Sequence, residues 1–371
     1  MSRLHAIYHL RCAAEDVAAR ARALALEQSI EMPLEPVTSD YVREEIVARV
    51  EGAAEIAPGL HAVTLALSTA TTGGEIGQAM NMLFGNCSLQ DDVTLVDVAL
   101  PDDFLAGFRG PRYGLDGIRA AVGAGPRALT MTALKPQGLP PAELAALCEI
   151  FARAGLDIVK DDHGIANQAY SPFAARVQAC QAAVRRANAD TGRCSVYAPS
   201  LSGGPRQLRE QVRIVREEGV GMVLACPMLL GLACFAELVD ELPCPVIAHP
   251  ALGGASRIAP PLLFGRLFRL LGADATIFPN YGGRFSYSRD TCEALAHAAR
   301  VPWRNFPACV PVPAGGMSVE RVAEMIDVYG RDVCLLIGGN LLAAGAALPA
   351  RSRAFVEAVA RLSTQNEEMI R

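Results

Sequence analysis

Between Ala128 and Leu341 the chain repeats one pattern eight times: a short, nearly continuous apolar run followed by a segment of helical length. The runs are Ala128–Leu134, Asp157–Asp162, Cys194–Leu201, Gly221–Leu229, Pro245–Leu252, Ala275–Asn280, Phe306–Gly316 and Val333–Leu341. Between them lie segments such as Pro140–Gly155, Pro172–Gly192, Pro205–Gly219 and Ser318–Gly330, most opening on Pro and all stopping at Gly, as helix boundaries favour. A strand wetted on one face alternates polar and apolar residues. A strand covered on both faces does not, so these runs belong to a parallel sheet wrapped by helices. Eight such units predict a closed (β/α)8 barrel, with active residues at the carboxyl ends of its strands. A doubly wound open sheet is the alternative, but no G-x-G-x-x-G follows the first strand.

The first 125 residues are patterned differently. A strand (Leu4–Cys12, its alternation running from Met1) leads to a helix (Glu15–Ser29). Strands near Ala48–Ile56 and His61–Ser68, a helix at Gly74–Phe84 and a strand at Val93–Leu100 follow. This β-α-β-β-α-β order predicts a ferredoxin-like α+β domain. The expected division is 1–125 and 126–371, with the join in the Gly- and Pro-containing stretch Gly114–Pro126.

The chain has 371 residues, 51% apolar and 20% charged, with a formal charge of −5, and so reads as a well-packed globular protein. That charge argues against nucleic acid or an anionic membrane surface as partner. No apolar stretch approaches the roughly 20 residues that span a bilayer, and the start lacks a signal peptide's apolar core. The 11 cysteines form no C-x-x-C pair and several sit in apolar runs such as Val223–Cys226, which predicts reduced thiols in a cytoplasmic protein.

Only two lysines are present, Lys135 and Lys160, every other basic position being arginine. A GC-rich genome explains arginine on the surface but not why these two were kept. Lysine can act as a neutral base or nucleophile, and arginine cannot. Both stand at the ends of apolar runs, where chemistry is expected. Lys160, Asp162 and His163 cluster at the second strand's end, and His249 closes the fifth. An ion pair of Lys160 with Asp161 or Asp162, and a satisfied core histidine at His249, are the alternatives. Gly315-Gly316 and Gly338-Gly339 follow strands seven and eight, the usual phosphate-binding place in such barrels.

These residues resemble ribulose bisphosphate carboxylase (RuBisCO) and the RuBisCO-like proteins over the whole chain. Gly155-Leu156-Asp157-Ile158-Val159-Lys160-Asp161-Asp162 resembles the metal motif, Leu134-Lys135-Pro136 the strand-one motif, and His249-Pro250-Ala251 the strand-five segment. Gly85-Asn86 resembles the pair that reaches the partner subunit's active site, and Glu27 lies in a stretch similar to another such loop. The resemblance implies Mg2+ held by Lys160 as a CO2-derived carbamate with Asp162 and His163, enolisation through Lys135 with His249 as a second acid or base, and a homodimer with shared sites. Lys135, beside the metal, would work as a neutral base.

Departures from RuBisCO narrow the implied activity. Gln137 stands in place of a second lysine, Pro250 in place of the arginine for a second phosphate, and Gly282-Gly283-Arg284 lacks the lysine that positions CO2. His163 replaces a metal-binding glutamate. The implied enzyme forms a Mg2+-stabilised enediolate from a phosphorylated ketose without carboxylating it. The nearest branch isomerises 5-methylthioribulose 1-phosphate to a 1-methylthio-pentulose 5-phosphate. A phosphorylated 3-keto acid decarboxylase is an alternative. So is the methionine-salvage 2,3-diketo-5-methylthiopentyl-1-phosphate enolase, whose proton-abstracting lysine would stand where this chain has Asn86. A non-catalytic barrel binding a phosphometabolite is the reading from outside enzymology.

Overall fold

The computed structural model describes residues 2–369. It divides into two compact units, one of residues up to Arg109 with Leu252–Leu263, the other of Gly110–Ala251 with Phe264–Arg371.

In the first unit β1 (Arg3–Arg11), β2 (Arg49–Ala57), β3 (Leu60–Ser68) and β4 (Val93–Ala99) form an antiparallel sheet of order β2-β3-β1-β4. Helices Val17–Glu27 and Ile76–Phe84 follow β1 and β3, giving the ferredoxin-like order. Alternation along β1 buries Leu4, Ala6, Tyr8 and Leu10 completely. The Met1 end of the expected alternation lies outside the described residues. The buried Tyr8 hydroxyl donates to the Leu83 carbonyl at 2.6 Å and ties sheet to helix. Segment Leu252–Leu263 joins this unit through edge strand β4: Leu95 donates to Arg257 O at 3.0 Å and accepts from Ala259 N at 2.9 Å.

The second unit is the barrel. Its strands are β5 (Leu129–Leu134), β6 (Ile158–Asp161), β7 (Val196–Ala198) with its continuation β8 (Ser200–Leu201), β9 (Val223–Ala225), β10 (Val246–Ala248), β11 (Ala275–Pro279), β12 (Val310–Ala314) and β13 (Cys334–Leu336). All pairings are parallel, in the orders β13-β5-β6-β7 and β12-β11-β10-β9-β8. The third strand is interrupted at Pro199, which has no N–H to give, although its carbonyl still accepts from Leu224 at 2.9 Å. β12 lies beside β13, closing the ring. Inward residues such as Met131, Ile158, Leu224, Ile247, Ile277 and Val312 fill the barrel.

Two differences from the sequence expectation have physical causes. The strands are shorter than their apolar runs: Gly221–Leu229, for example, holds β9 and then a helical turn, Pro227–Leu230. And the division falls at Arg109/Gly110, not at 125/126, because helix Gly114–Val122 belongs to the barrel. Leu115, Ile118 and Val122 enter its core, and the Tyr113 and Gly114 N–H groups donate to Asp274 Oδ1 at 2.8 Å. All 11 cysteines are unbridged. No helix among the described residues is long and apolar enough to cross a membrane.

Candidate active site at the barrel mouth

Side chains alternate along a strand, so the parity of the packed residues decides which ones reach the mouth. Met131 faces the core, and Ala133 and Lys135 follow in the same phase. Ile158 does the same, and Lys160 and Asp162 follow it, with Ala133 paired to Lys160 across β5 and β6. On β10 Ile247 sets the phase for His249, on β12 Val312 for Ala314 and Gly316, and on β13 Leu336 for Gly338. These residues open on a cavity of about 510 Å³. Lys135, Lys160, Asp162, His163 and His249 line it together with Gly315, Gly316, Gly338 and Gly339. Glu27 and Asn86 lie in the first unit, where Asn86 Nδ2 donates to Glu27 Oε1 at 2.9 Å.

The charged groups are paired in an order that the sequence did not reveal. Lys135 Nζ donates to Asp162 Oδ2 at 2.5 Å. Lys160, 2% exposed, donates instead to the Asp161 backbone carbonyl at 3.0 Å and makes no ion pair with Asp161 or Asp162. Burial, reinforced by the Lys135 charge and opposed by Asp162, lowers the Lys160 amine to about 8. Burial pushes the Asp162 carboxyl up, but bonds from His163 and Lys135 and the nearby Lys160 charge outweigh it and hold the group well below the usual carboxylate range. Lys135 is therefore bound to an anion, with the second lysine of the cavity close enough for its charge to be felt.

His163 and His249 stack, with ring centroids 4.0 Å apart and planes 16° apart. Burial, then the Lys160 and His163 charges, depress His249 to about 2, so its ring is neutral. Its Nδ1 accepts from Ala251 N at 3.1 Å, which assigns the ring proton to Nε2. One ring nitrogen of His249 is thus satisfied by backbone, as in a core histidine, while the side chain lines the cavity and has an N–H left to donate.

Asp161, of opposite parity, points away from the cavity. Its carboxylate accepts from Arg176 Nε at 3.0 Å, Tyr197 OH at 2.7 Å and Ser200 N at 3.0 Å. Arg176 also donates to the carbonyls of Ser171 and Ala166 at 2.8 and 2.7 Å, fixing the loop that follows β6. Sequence reasoning missed this anchor; a tyrosine in the apolar third run was its one signal. It also missed three cavity-lining residues, Arg284, Ser318 and Asn340.

Among the described residues no three His, Cys, Asp or Glu side chains converge on a point where they would hold a metal ion. Asp162 Oδ1 and His163 Nδ1 stand 3.5 Å apart, two donors side by side. A hard dication needs more oxygen than that. CO2 added to the Lys160 amine would supply it, turning a buried cation that resists protonation into an anionic oxygen donor. The residues present fit Mg2+ in that carbamylated form.

The wall after β12 has little room for a side chain, whereas a Cβ at Gly338 or Gly339 would meet no close neighbour. Gly315 and Gly316 have φ of +81° and +90°, and a Cβ on Gly316 would lie 2.4 Å from Gly283 Cα.

Residues 114–244 match the family model of the ribulose bisphosphate carboxylase large chain, catalytic domain. The chain is 55% identical over 360 residues, 96% of each protein, to a 5-methylthioribulose-1-phosphate isomerase of Rhodospirillum rubrum. It is 53% identical to ribulose bisphosphate carboxylase-like protein 1 of Rhodopseudomonas palustris, covering 96% of this chain and 98% of that one. The crystal structure of a Rubisco-like protein from Rhodopseudomonas palustris superposes with a TM-score of 0.91 at 50% identity, over 97% of this chain and 98% of that one. Motif order, barrel geometry and these near full-length matches agree: the chain belongs to the RuBisCO large-chain family, among its RuBisCO-like proteins.

Proposed function

We propose that this chain isomerises 5-methylthioribulose 1-phosphate to a 1-methylthio-pentulose 5-phosphate. The observation that carries the proposal is the cavity itself. It sets a Lys–Asp–Lys cluster and a neutral histidine among two glycine pairs suited to a single phosphate. The 55% identity to a protein of that name over nearly the whole chain supports the same reading.

The conversion moves the ketone from C2 to C4 of the substrate chain with no net redox change. Each shift removes a C–H proton and returns one to a neighbouring carbon. Lys160 as its carbamate, Asp162 and His163 would hold Mg2+, which when bound supplies Lewis-acid polarisation of the ketone and its neighbouring hydroxyl. Lys135, which lines the cavity with its Nζ 2.5 Å from Asp162, carries the proton: as the neutral amine it takes the proton from one carbon, and as the ammonium it returns it to the neighbouring one. His249 orients and donates through Nε2–H, because its other nitrogen is occupied and burial opposes its protonation. Gly315, Gly316, Gly338 and Gly339 bring backbone close to the phosphate. Glu27 and Asn86 complete the site from the partner subunit of a homodimer.

The test is proton NMR in deuterium oxide with the enzyme, Mg2+ and bicarbonate. 5-Methylthioribulose 1-phosphate should exchange its carbon-bound protons and give the 5-phosphate product. Exchange without isomerised product would replace isomerase by a simpler enolising activity. Neither exchange nor product would leave a phosphometabolite-binding barrel.

A further inference from the structure

We infer that Arg284 is the cation that clamps the substrate phosphate against Gly315 and Gly316. The inference rests on the phosphoketose reading above and adds to it a binding residue.

The cavity wall carries two lysines and one arginine. Lys135 is committed to Asp162 at 2.5 Å, and the buried Lys160 amine donates to Asp161 O at 3.0 Å. The Arg284 guanidinium is exposed and has neither an ion pair nor a hydrogen bond among the described residues. Its contact is a stack over the Phe285 ring, 5.1 Å to the centroid.

The chain places that guanidinium by backbone contact. Asn280 N donates to Ala314 O at 2.7 Å, which sets the loops after β11 and β12 in register. Three residues on, glycine meets glycine: a Cβ on Gly283 would lie 1.9 Å from Gly315 O. The Phe285 ring then meets Gly315, two of its atoms 3.1 Å from where a Cβ would be. Guanidinium and Gly315 both meet the Phe285 ring, and Arg284 lines the cavity together with Gly315 and Gly316, the wall already read as the phosphate site.

Chemistry favours an anion there. Backbone N–H groups orient a phosphate but leave its dianionic charge unmatched. A planar guanidinium gives two parallel bonds to phosphate oxygens, and its stack on an aromatic face holds the plane in orientation. With the phosphate clamped at one end, the distance along the carbon chain decides which C–H reaches Lys135.

The experiment measures binding without turnover, by calorimetry with ribose 5-phosphate and with inorganic phosphate as probes. Wild type should bind, and Arg284→Gln should weaken binding roughly 10- to 100-fold, the range for a hydrogen bond to a charged group. Arg284→Lys should recover part of the loss. With 5-methylthioribulose 1-phosphate, Arg284→Gln should raise KM far more than it lowers kcat, at an unchanged melting temperature. Equal affinity in wild type and Arg284→Gln overturns the inference and leaves the isomerase reading intact. A wild type that binds neither probe overturns the inference and leaves the isomerase reading to turnover of 5-methylthioribulose 1-phosphate. Loss of binding in Arg284→Gln from a wild type that does not isomerise the ketose keeps Arg284 and overturns the isomerase.

Discussion

Lys135 and Lys160 share a cavity and a side chain, yet their surroundings fit them for different work. Lys135 is held by a carboxylate. If it moves the substrate proton, Lys135→Arg keeps the charge but cannot release a proton, and turnover should fall roughly 10²- to 10⁴-fold with KM little changed. A mainly raised KM would make it an electrostatic anchor instead. Lys160 must lose its proton before CO2 can add. With its amine lowered to about 8, activation by bicarbonate and Mg2+ should climb as the pre-incubation pH passes from 7 to 9, with its midpoint near 8. Activation that falls over that range counts against carbamylation. His249 gives a stability signature of its own. Its folded value, about 2, lies below the ordinary 6.5, so between these the unfolded chain binds a proton that the fold refuses. Stability therefore rises with pH across that window and is lost on acidification. Urea denaturation at pH 5 and 7 should show a smaller difference for His249→Gln than for wild type.

At the scale of the element, β6 carries two chemistries in alternate positions. Lys160 and Asp162 face the cavity, while Asp161 between them is anchored to Arg176 on helix Phe173–Thr191. Both partners of that ion pair are fully buried. Arg176→Met strands the carboxylate, and breaking such a pair costs on the order of 3–5 kcal/mol, measurable by chemical denaturation. A loss well under 1 kcal/mol would show that Asp161 is held by Tyr197 and Ser200 alone. This strand also shows what could be read in advance. Period-two alternation and a continuous apolar run suffice to place Lys160 and Asp162 at a barrel mouth, because strand ends and inward phase are local properties. Arg176 was invisible: it is 15 residues away, on a helix whose orientation only tertiary packing decides. Arg284 was legible as a residue but was read only for the lysine it is not. Helix Gly114–Val122 was taken for a linker because its glycines read as a join, whereas its apolar face closes the barrel.

For the whole molecule, the homodimer proposal has a quantitative consequence. Glu27 and Asn86 belong to one unit and the lysine cavity to the other. If Asn86 serves the partner's cavity, Asn86→Ala and Lys160→Ala chains, each inactive alone, should regain about a quarter of wild-type activity when randomly paired, since half the dimers then hold one intact site. Heterodimers that form and stay inactive would count against shared sites and leave Asn86 acting within its own chain. The confinement of both lysines to one cavity has a separate, practical consequence. Isotope supplied as lysine would light up that cavity and leave the rest of the chain dark. Two side-chain amine resonances, one for each lysine, would follow phosphate ester, magnesium and carbon dioxide as each arrives, with no assignment campaign needed to know where in the molecule the signal comes from.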